Sequence, residues 1–198
     1  MAKKKAYVAF VRGVMMSVRI TRFNCLGLSS SDTHKLTAFE KLYRSAMNRN
    51  ITRNNFKPFV LDPFARTCLW GTRRNDINPQ FLKNYTTHCM DAIDFMKMNA
   101  NETTDIILFD PPFSDRQSKE EYGTNNLYAN PKYISVIGNE IFRVLKPNGY
   151  VIKCGYNSNP PCKGLELVAM HICYFGASIN DILITMWIKK QTSLGDFE

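Results

Sequence analysis

The stretch DIILFDPPF, residues 105–113, constrains the chain more than any other part of it. Ile106, Ile107, Leu108 and Phe109 form an apolar run too short for a helix, and they read as a strand buried on both faces. The run stops on Asp110, and two prolines follow at once. Proline fixes φ and lacks an N–H, and Pro111 also holds Asp110 extended. Carbonyl oxygens are therefore left pointing outward with no local donor. The product is a rigid set of acceptors, one carboxylate and one or two carbonyls, with the flat face of Phe113 beside it. Such a set suits a planar aromatic amine. The ring stacks on Phe113 while its NH2 donates to Asp110 and to the Pro111 carbonyl. An exocyclic amine of this kind is a poor nucleophile, because its lone pair is delocalised into the ring. Fixed acceptors stabilise the positive charge that grows on the nitrogen as it attacks, and rigidity supplies the alignment.

Around this turn, strands alternate with helices. PFVLDPFA reads as a short strand ending on Asp62, GTRRNDINP as a second ending near Asp76, and YTTHC as a third followed by Asp91. Asp91 is placed to cap the helix DAIDFMKM. LSSSDTHKLTAFEKLYRSAM reads as a helix capped by Ser31 or Asp32, with an apolar stripe at Leu36, Phe39, Leu42, Tyr43 and Met47. NRNITRNNFK reads as a polar linker. PKYISVIGNEIFRVLK is an amphipathic helix with Pro131 near its start, and Pro147-Asn148-Gly149 follows its end. YVIKCGY is a strand, and LELVAMHICYF with DILITMWIKK forms a final antiparallel pair. This order predicts an α/β fold with a mostly parallel sheet flanked by helices. Ligands of such sheets bind at the carboxyl ends of the strands, where Asp62, Asp76, Asp91 and Asp110 gather.

The chain has 198 residues, enough for one domain. The formal charge is +9, and its placement says more than its size. Residues 1–60 carry 12 Lys+Arg against 2 Asp+Glu, and the remainder carries 14 against 15. We read residues 1–28 as a basic N-terminal arm and 29–198 as a single domain. A basic third beside a neutral body points to a polyanionic partner. The six cysteines form no C-x-x-C pair and the three histidines do not cluster with them, so the reading is buried thiols in a reducing cytoplasm and no metal site. MAKKKAYVAFVRGVMM has the outline of a secretory leader, but Arg12 interrupts the apolar run and no cleavage site follows. No stretch approaches 18 apolar residues, so no membrane span is expected.

Asp110-Pro111-Pro112-Phe113 resembles the Asp/Asn/Ser-Pro-Pro-aromatic signature of the amino-methyltransferases. These enzymes use S-adenosylmethionine to methylate exocyclic amines. VLDPFA at 60–65 resembles the start of their cofactor strand, and NDINPQF at 75–81 the acid after the second strand. MDAIDFM at 90–96 resembles the third, and EIFRVLKPNGYVI at 140–152 the helix-turn-strand after the catalytic turn. DPFARTCLWGTRRNDINPQF together with CGYNSN is similar to small phage and archaeal-virus DNA methyltransferases. The resemblance covers roughly residues 29–190. It implies a Rossmann-like class I methyltransferase fold with a C-terminal antiparallel hairpin. It further implies S-adenosyl-L-methionine as cofactor and Asp110, Pro111, Pro112 and Phe113 as the catalytic turn. Asp62, Pro63, Phe64 and Ala65 would line the methionine end of the cofactor. Asp76, with Ile77, would take the ribose hydroxyls, and Asp91, with Ala92, the adenine. Ser31 and Thr33 would close over the carboxylate. The sequence departs from the family at Arg66, where Gly is usual. Only 13 residues separate Asp62 from Asp76, so the first crossover is expected to be shortened, without its helix.

A base inside a duplex cannot reach such a turn and must be flipped out or supplied single-stranded. Arg116, Tyr122 and Tyr128 in the following loop, with Tyr156 and Asn157 after the next strand, are the candidates for holding it. Arg19, Arg22, Arg44, Arg49 and Arg53 are candidates for phosphate contacts. The resemblance favours DNA adenine N6 over cytosine N4, since Asp rather than Ser opens the signature. RNA base methylation, protein glutamine methylation and a non-catalytic nucleic-acid binder are the competing readings.

Overall fold

The computed structural model describes residues 4–11, 14–26, 33–112, 119, 130–176 and 180–191. Its centre is the run that opened the sequence reading. Strand β5 (Thr104–Phe109) is buried along its whole length. Its first acid, Asp105, is anchored by the Phe59 N–H at 2.8 Å and by Lys146 Nζ at 2.9 Å. Beside β5 lie β3 (Val60–Asp62) on one side and β6 (Leu145–Gly155) on the other, both parallel to it. β3 continues outward to β4 (Arg73–Arg74), also parallel. β6 continues to β8 (Ile182–Lys189), which is antiparallel and pairs in turn with β7 (Leu165–Tyr174). The final antiparallel pair is thus as expected. The mostly parallel α/β sheet is the Rossmann-like arrangement that the resemblance implies.

Two more strands extend the far edge. β1 (Lys4–Val11) and β2 (Val14–Asn24) form a hairpin, and β2 runs parallel to β7. Most of the segment read as a basic arm is therefore part of an eight-stranded sheet in the order β1-β2-β7-β8-β6-β5-β3-β4.

Strand alternation divides the core between two faces. On one face, α1 (Thr37–Asn54) lays Phe39, Leu42 and Ala46 against Ile106, Leu108, Ile152, Ile184 and Met186. On the other, α2 (Ala92–Lys97) and α3 (Pro131–Val144) lay Phe95, Met96, Ile137 and Ile141 against Leu61, Ile107, Phe109 and Val151. Asp91 caps α2 through the Ile93 N–H at 2.8 Å, as expected. Asn130 caps α3 through the Lys132 N–H at 3.0 Å, with Pro131 in the first turn.

α1 corrects two expectations. Its N-cap position is Leu36, with no side-chain cap, and a 3-10 turn at Thr33–Lys35 precedes it. Ser31 and Asp32 lie outside the described residues. The helix also runs on through the stretch read as a polar linker, because its last turns are solvent-facing and need no apolar stripe. Asn50 inside that stretch is buried and donates to the Ala46 carbonyl at 3.1 Å. Asn55 ends the helix in the left-handed region, at φ 55°, with its N–H on the Ile51 carbonyl at 2.8 Å.

The first crossover carries no helix. Trp70 fills the space instead, stacked on Tyr43 at 4.6 Å between centroids. Gly71 lets the chain turn back, since a Cβ there would stand 2.9 Å from the Arg73 carbonyl oxygen. The third expected strand is reduced to two isolated bridges, Asn75 to His88 and Leu82 to Thr86.

Candidate active site at the β3–β5 edge

From β3 the chain moves outward to β4, and from β5 it moves the opposite way to β6. The seam between β3 and β5 is thus the topological switch point, where sheets of this type open a crevice at their carboxyl ends. Asp62 is the last residue of β3, and Asp110 directly follows β5. Both line one narrow cavity, together with Thr33, Phe39, Phe64 and Ala65. Pro111 and Pro112, which follow Asp110, are buried.

The cavity is electrostatically strained towards positive charge. Burial raises the Asp62 carboxyl to about 8, and the neighbouring Asp110 adds to the rise. The Phe64 N–H, 3.3 Å from Asp62 Oδ1, works against it. Burial raises Asp110 to about 6, opposed first by the Thr33 hydroxyl, which donates to Asp110 Oδ2, and then by the Arg66 charge. Two carboxylates drawn out of water in one cavity favour a cationic guest. Asp110 thus accepts from the Thr33 hydroxyl and from the Cys154 thiol, and its carboxylate keeps lone pairs for a further donor.

Arg66 occupies the position where glycine is usual in the family it resembles, and its backbone shows why. Its φ is 45°, in the left-handed region that glycine enters most readily. The Asp76 carboxylate holds this turn, with Oδ2 accepting from the Arg66 N–H at 3.2 Å and Oδ1 from the Asn78 N–H at 2.9 Å. Asp76 is thus buried and engaged with backbone, at the position where the resemblance implies a contact to ribose. Asn75 links the two acidic loops. Its amide nitrogen donates to the Pro63 and Met90 carbonyls at 3.2 and 2.9 Å, and its oxygen accepts from the Met90 N–H at 3.1 Å.

The other candidates separate into three groups. Asp91 lies one loop away from the cavity, capping α2 and accepting from the Tyr133 hydroxyl at 3.1 Å, with Ala92 buried behind it. Ile77 and Tyr156 are exposed, and neither they nor Asn157 lines the cavity. Ser31, Phe113, Arg116, Tyr122 and Tyr128 lie outside the described residues.

The cavity also contains residues that the sequence reading did not assign. His34 and Cys68 line it, and burial together with Asp62 drives the Cys68 thiol upward. Lys153 is buried at the end of β6, and burial lowers its ammonium to about 8. It donates to Asn157 Oδ1 and to the Asn159 carbonyl, both at 2.8 Å, and so ties down the loop after the strand. Its one sequence signal was a lysine inside the apolar run YVIKCG.

No family model matches the chain, and no curated protein matches it. Solved structures are similar at low identity. They include the N-methyltransferase NodS from Bradyrhizobium japonicum in complex with S-adenosyl-L-homocysteine, at 12% identity, covering 79% of this chain and 90% of that one, with a TM-score of 0.49. A methyltransferase homolog protein from Pyrococcus horikoshii shares 12% identity over 94% of this chain and 78% of its own, at a TM-score of 0.47. A SAM-dependent methyltransferase from Archaeoglobus fulgidus shares 11% identity over 80% of this chain and 97% of its own, at 0.45.

Proposed function

We propose that the chain is an S-adenosylmethionine-dependent methyltransferase acting on an exocyclic amine of a DNA base, with adenine N6 favoured over cytosine N4. The observation that carries this reading is the meeting of Asp62 and Asp110 in one cavity at the β3–β5 switch point. The donor set fits the cofactor, whose sulfonium supplies an electrophilic methyl group. Asp62 and Asp110, whose raised carboxyls ionise more readily beside a positive charge, favour a cation, and Phe64 and Ala65 add apolar lining to the cavity. In this reading the segment 62–66 cradles the methionine end, and the Asp76–Arg66 contact holds that segment in shape.

The work on the amine falls to the turn after β5. Asp110 and the Pro111 carbonyl accept the two N–H groups of the extruded base and set its nitrogen in line for attack. They stabilise the charge that accumulates there. The proton leaves after the nitrogen has bonded, and Asp110, with its carboxyl near 6, can take it. Thr33 and Cys154 donate to the Asp110 carboxyl and so hold its orientation.

The test is incubation of the protein with methyl-labelled cofactor and either plasmid DNA or total RNA, followed by nucleoside analysis. N6-methyldeoxyadenosine is the expected product. Label in RNA alone, or in N4-methyldeoxycytidine alone, rejects the stated acceptor. No label in either, with folded protein, rejects the reaction.

A further inference from the structure

The five arginines considered for phosphate contacts are not equivalent in the fold. Arg44 is engaged with Glu40 at 2.8 Å. Arg53 donates to the Asn148 carbonyl at 2.8 Å. Arg22 lies over the Tyr174 ring at 4.5 Å, and strand alternation points it away from its neighbours Thr21 and Phe23. Arg19 and Arg49 come together, and Lys41 joins them. The three line a groove of about 590 Å³ between α1 and the strands β2, β7 and β8, well apart in the lining from Asp62 and Asp110.

The groove has the composition of a strand-binding track. Its floor is apolar, with Ala169 and Met186, and Thr21 and Ser45 add hydroxyls. No acid lines it, and among the described residues none of its three cations is ion-paired, Lys41 lying over the ring of Phe23, itself part of the lining, at 5.1 Å. Lys41, Ser45 and Arg49 stand four residues apart on α1, which places them on one face over about 12 Å of helix. Arg19 faces them from β2, the strand that the N-terminal hairpin adds to the sheet. β2 thus supplies one side of the groove, through Val18, Arg19, Thr21 and Phe23. The same helix opens beside the candidate active site, where Phe39 lines the cavity with Asp110.

We propose that this groove is a second nucleic-acid site, in which Arg19, Lys41 and Arg49 hold the phosphodiester backbone of the strand whose base is presented to Asp110. The choice of nucleic acid among polyanions rests on the function proposed above, whereas the location rests on the groove itself. Backbone contacts of this kind supply affinity and orientation without reading sequence.

The experiment is fluorescence anisotropy of a labelled single-stranded DNA 12-mer with the full chain, without cofactor, across a salt series. The variant R19Q/K41Q/R49Q is expected to bind about 100-fold more weakly at 0.1 M salt, with the log–log salt slope shallower by about 2, the counterion release of three contacts on a single strand. Ser45→Glu places an anion four residues from both Lys41 and Arg49 and is expected to weaken binding about tenfold while leaving thermal unfolding near that of the parent. The control K83Q/K97Q/K163Q makes the same change in net charge at exposed sites elsewhere and is expected to bind as the parent does. Equal losses in the control and the groove variant would overturn the site, since net charge alone would then explain binding. A parent-like Ser45→Glu would also overturn it. Preference of the groove for phosphatidylglycerol vesicles or heparin over the oligonucleotide would overturn the assignment to nucleic acid. Because binding is read without turnover, a protein that binds DNA through the groove yet methylates nothing would refute the reaction and leave the groove standing.

Discussion

The two halves of the sheet on either side of the β3–β5 seam are built by different means. From β5 through β6 to β8, long strands are held by apolar burial on both faces, and Ile106, Ile107, Val151, Ile152 and Ile184 are fully enclosed. From β3 outward the strands shrink to three residues, two residues and isolated bridges. There the chain is held by polar side chains acting on backbone. Asn75 clamps Pro63 and Met90, Asp76 clamps Arg66 and Asn78, and Thr87 accepts from the Arg74 N–H at 3.0 Å. The stiff half presents Asp110, and the half stitched by side chains presents Asp62. The proposed catalytic turn thus stands on the half held by apolar burial, and the proposed cofactor cradle on the half held by side-chain hydrogen bonds.

The largest expected effect probes the stiff half. Asp110→Ala should lower methyl transfer by about 10²–10³-fold, the scale of a lost preorganised charge interaction. Cofactor binding, measured by calorimetry, should be retained. Loss of cofactor binding in a folded variant would show that Asp110 serves the cradle and not the amine.

Ile107→Ala and Asn75→Ala set the two halves against each other. Ile107 is enclosed in the second core cluster, and its truncation should cost about 2–5 kcal/mol of global stability. Asn75→Ala removes three hydrogen bonds and should cost about 2–3 kcal/mol, with the loss concentrated locally. Hydrogen exchange discriminates between the two. Protection should fall across the whole sheet in the first variant, and mainly around residues 62–92 in the second. A sheet-wide loss in Asn75→Ala would mean that the short half is not an independent unit.

What the sequence disclosed follows the same division. β5, α3 and the β7–β8 pair were legible because apolar periodicity is a local signal and these elements are buried by it. Asp91 was legible as a cap because capping is local too. The N-terminal hairpin was not, since its lysines and Arg12 break any alternation and its pairing with β7 joins residues about 150 positions apart. The polar end of α1 was hidden because an exposed helix turn and a linker share a composition. Asp76 was readable as an acid at a strand end, but its commitment to the Arg66 and Asn78 amides depends on a left-handed Arg66, which composition does not announce.

The pH dependence sharpens the account of the seam. With the folded carboxyl of Asp62 near 8 against an ordinary value of 3.8, the native state holds more protons than the unfolded chain between those limits. The contribution to stability is complete below about pH 4 and is lost as pH rises through 8. Asp110 adds the same trend over the lower part of that range. The melting temperature without cofactor should therefore fall from pH 5 to pH 8, and Asp62→Asn should flatten the fall. An unchanged slope in the variant would mean that Asp62 is ionised and paired in solution.

The smallest effect on stability should come from Arg66→Gly, and it separates backbone from charge. Glycine relieves the left-handed conformation but adds freedom to the unfolded chain, so the two terms nearly cancel and stability should move by less than about 1 kcal/mol. The charge does not cancel. The Arg66 guanidinium lowers the Asp110 carboxyl, so its removal should let that carboxyl rise. The acidic limb of the pH–rate profile should then move to higher pH while the melting temperature stays near that of the parent. A profile unchanged in position would detach Arg66 from the titration of Asp110. A large fall in stability would show instead that its side chain, which lies 5.8 Å from the centre of the Phe81 ring, packs the short half of the sheet.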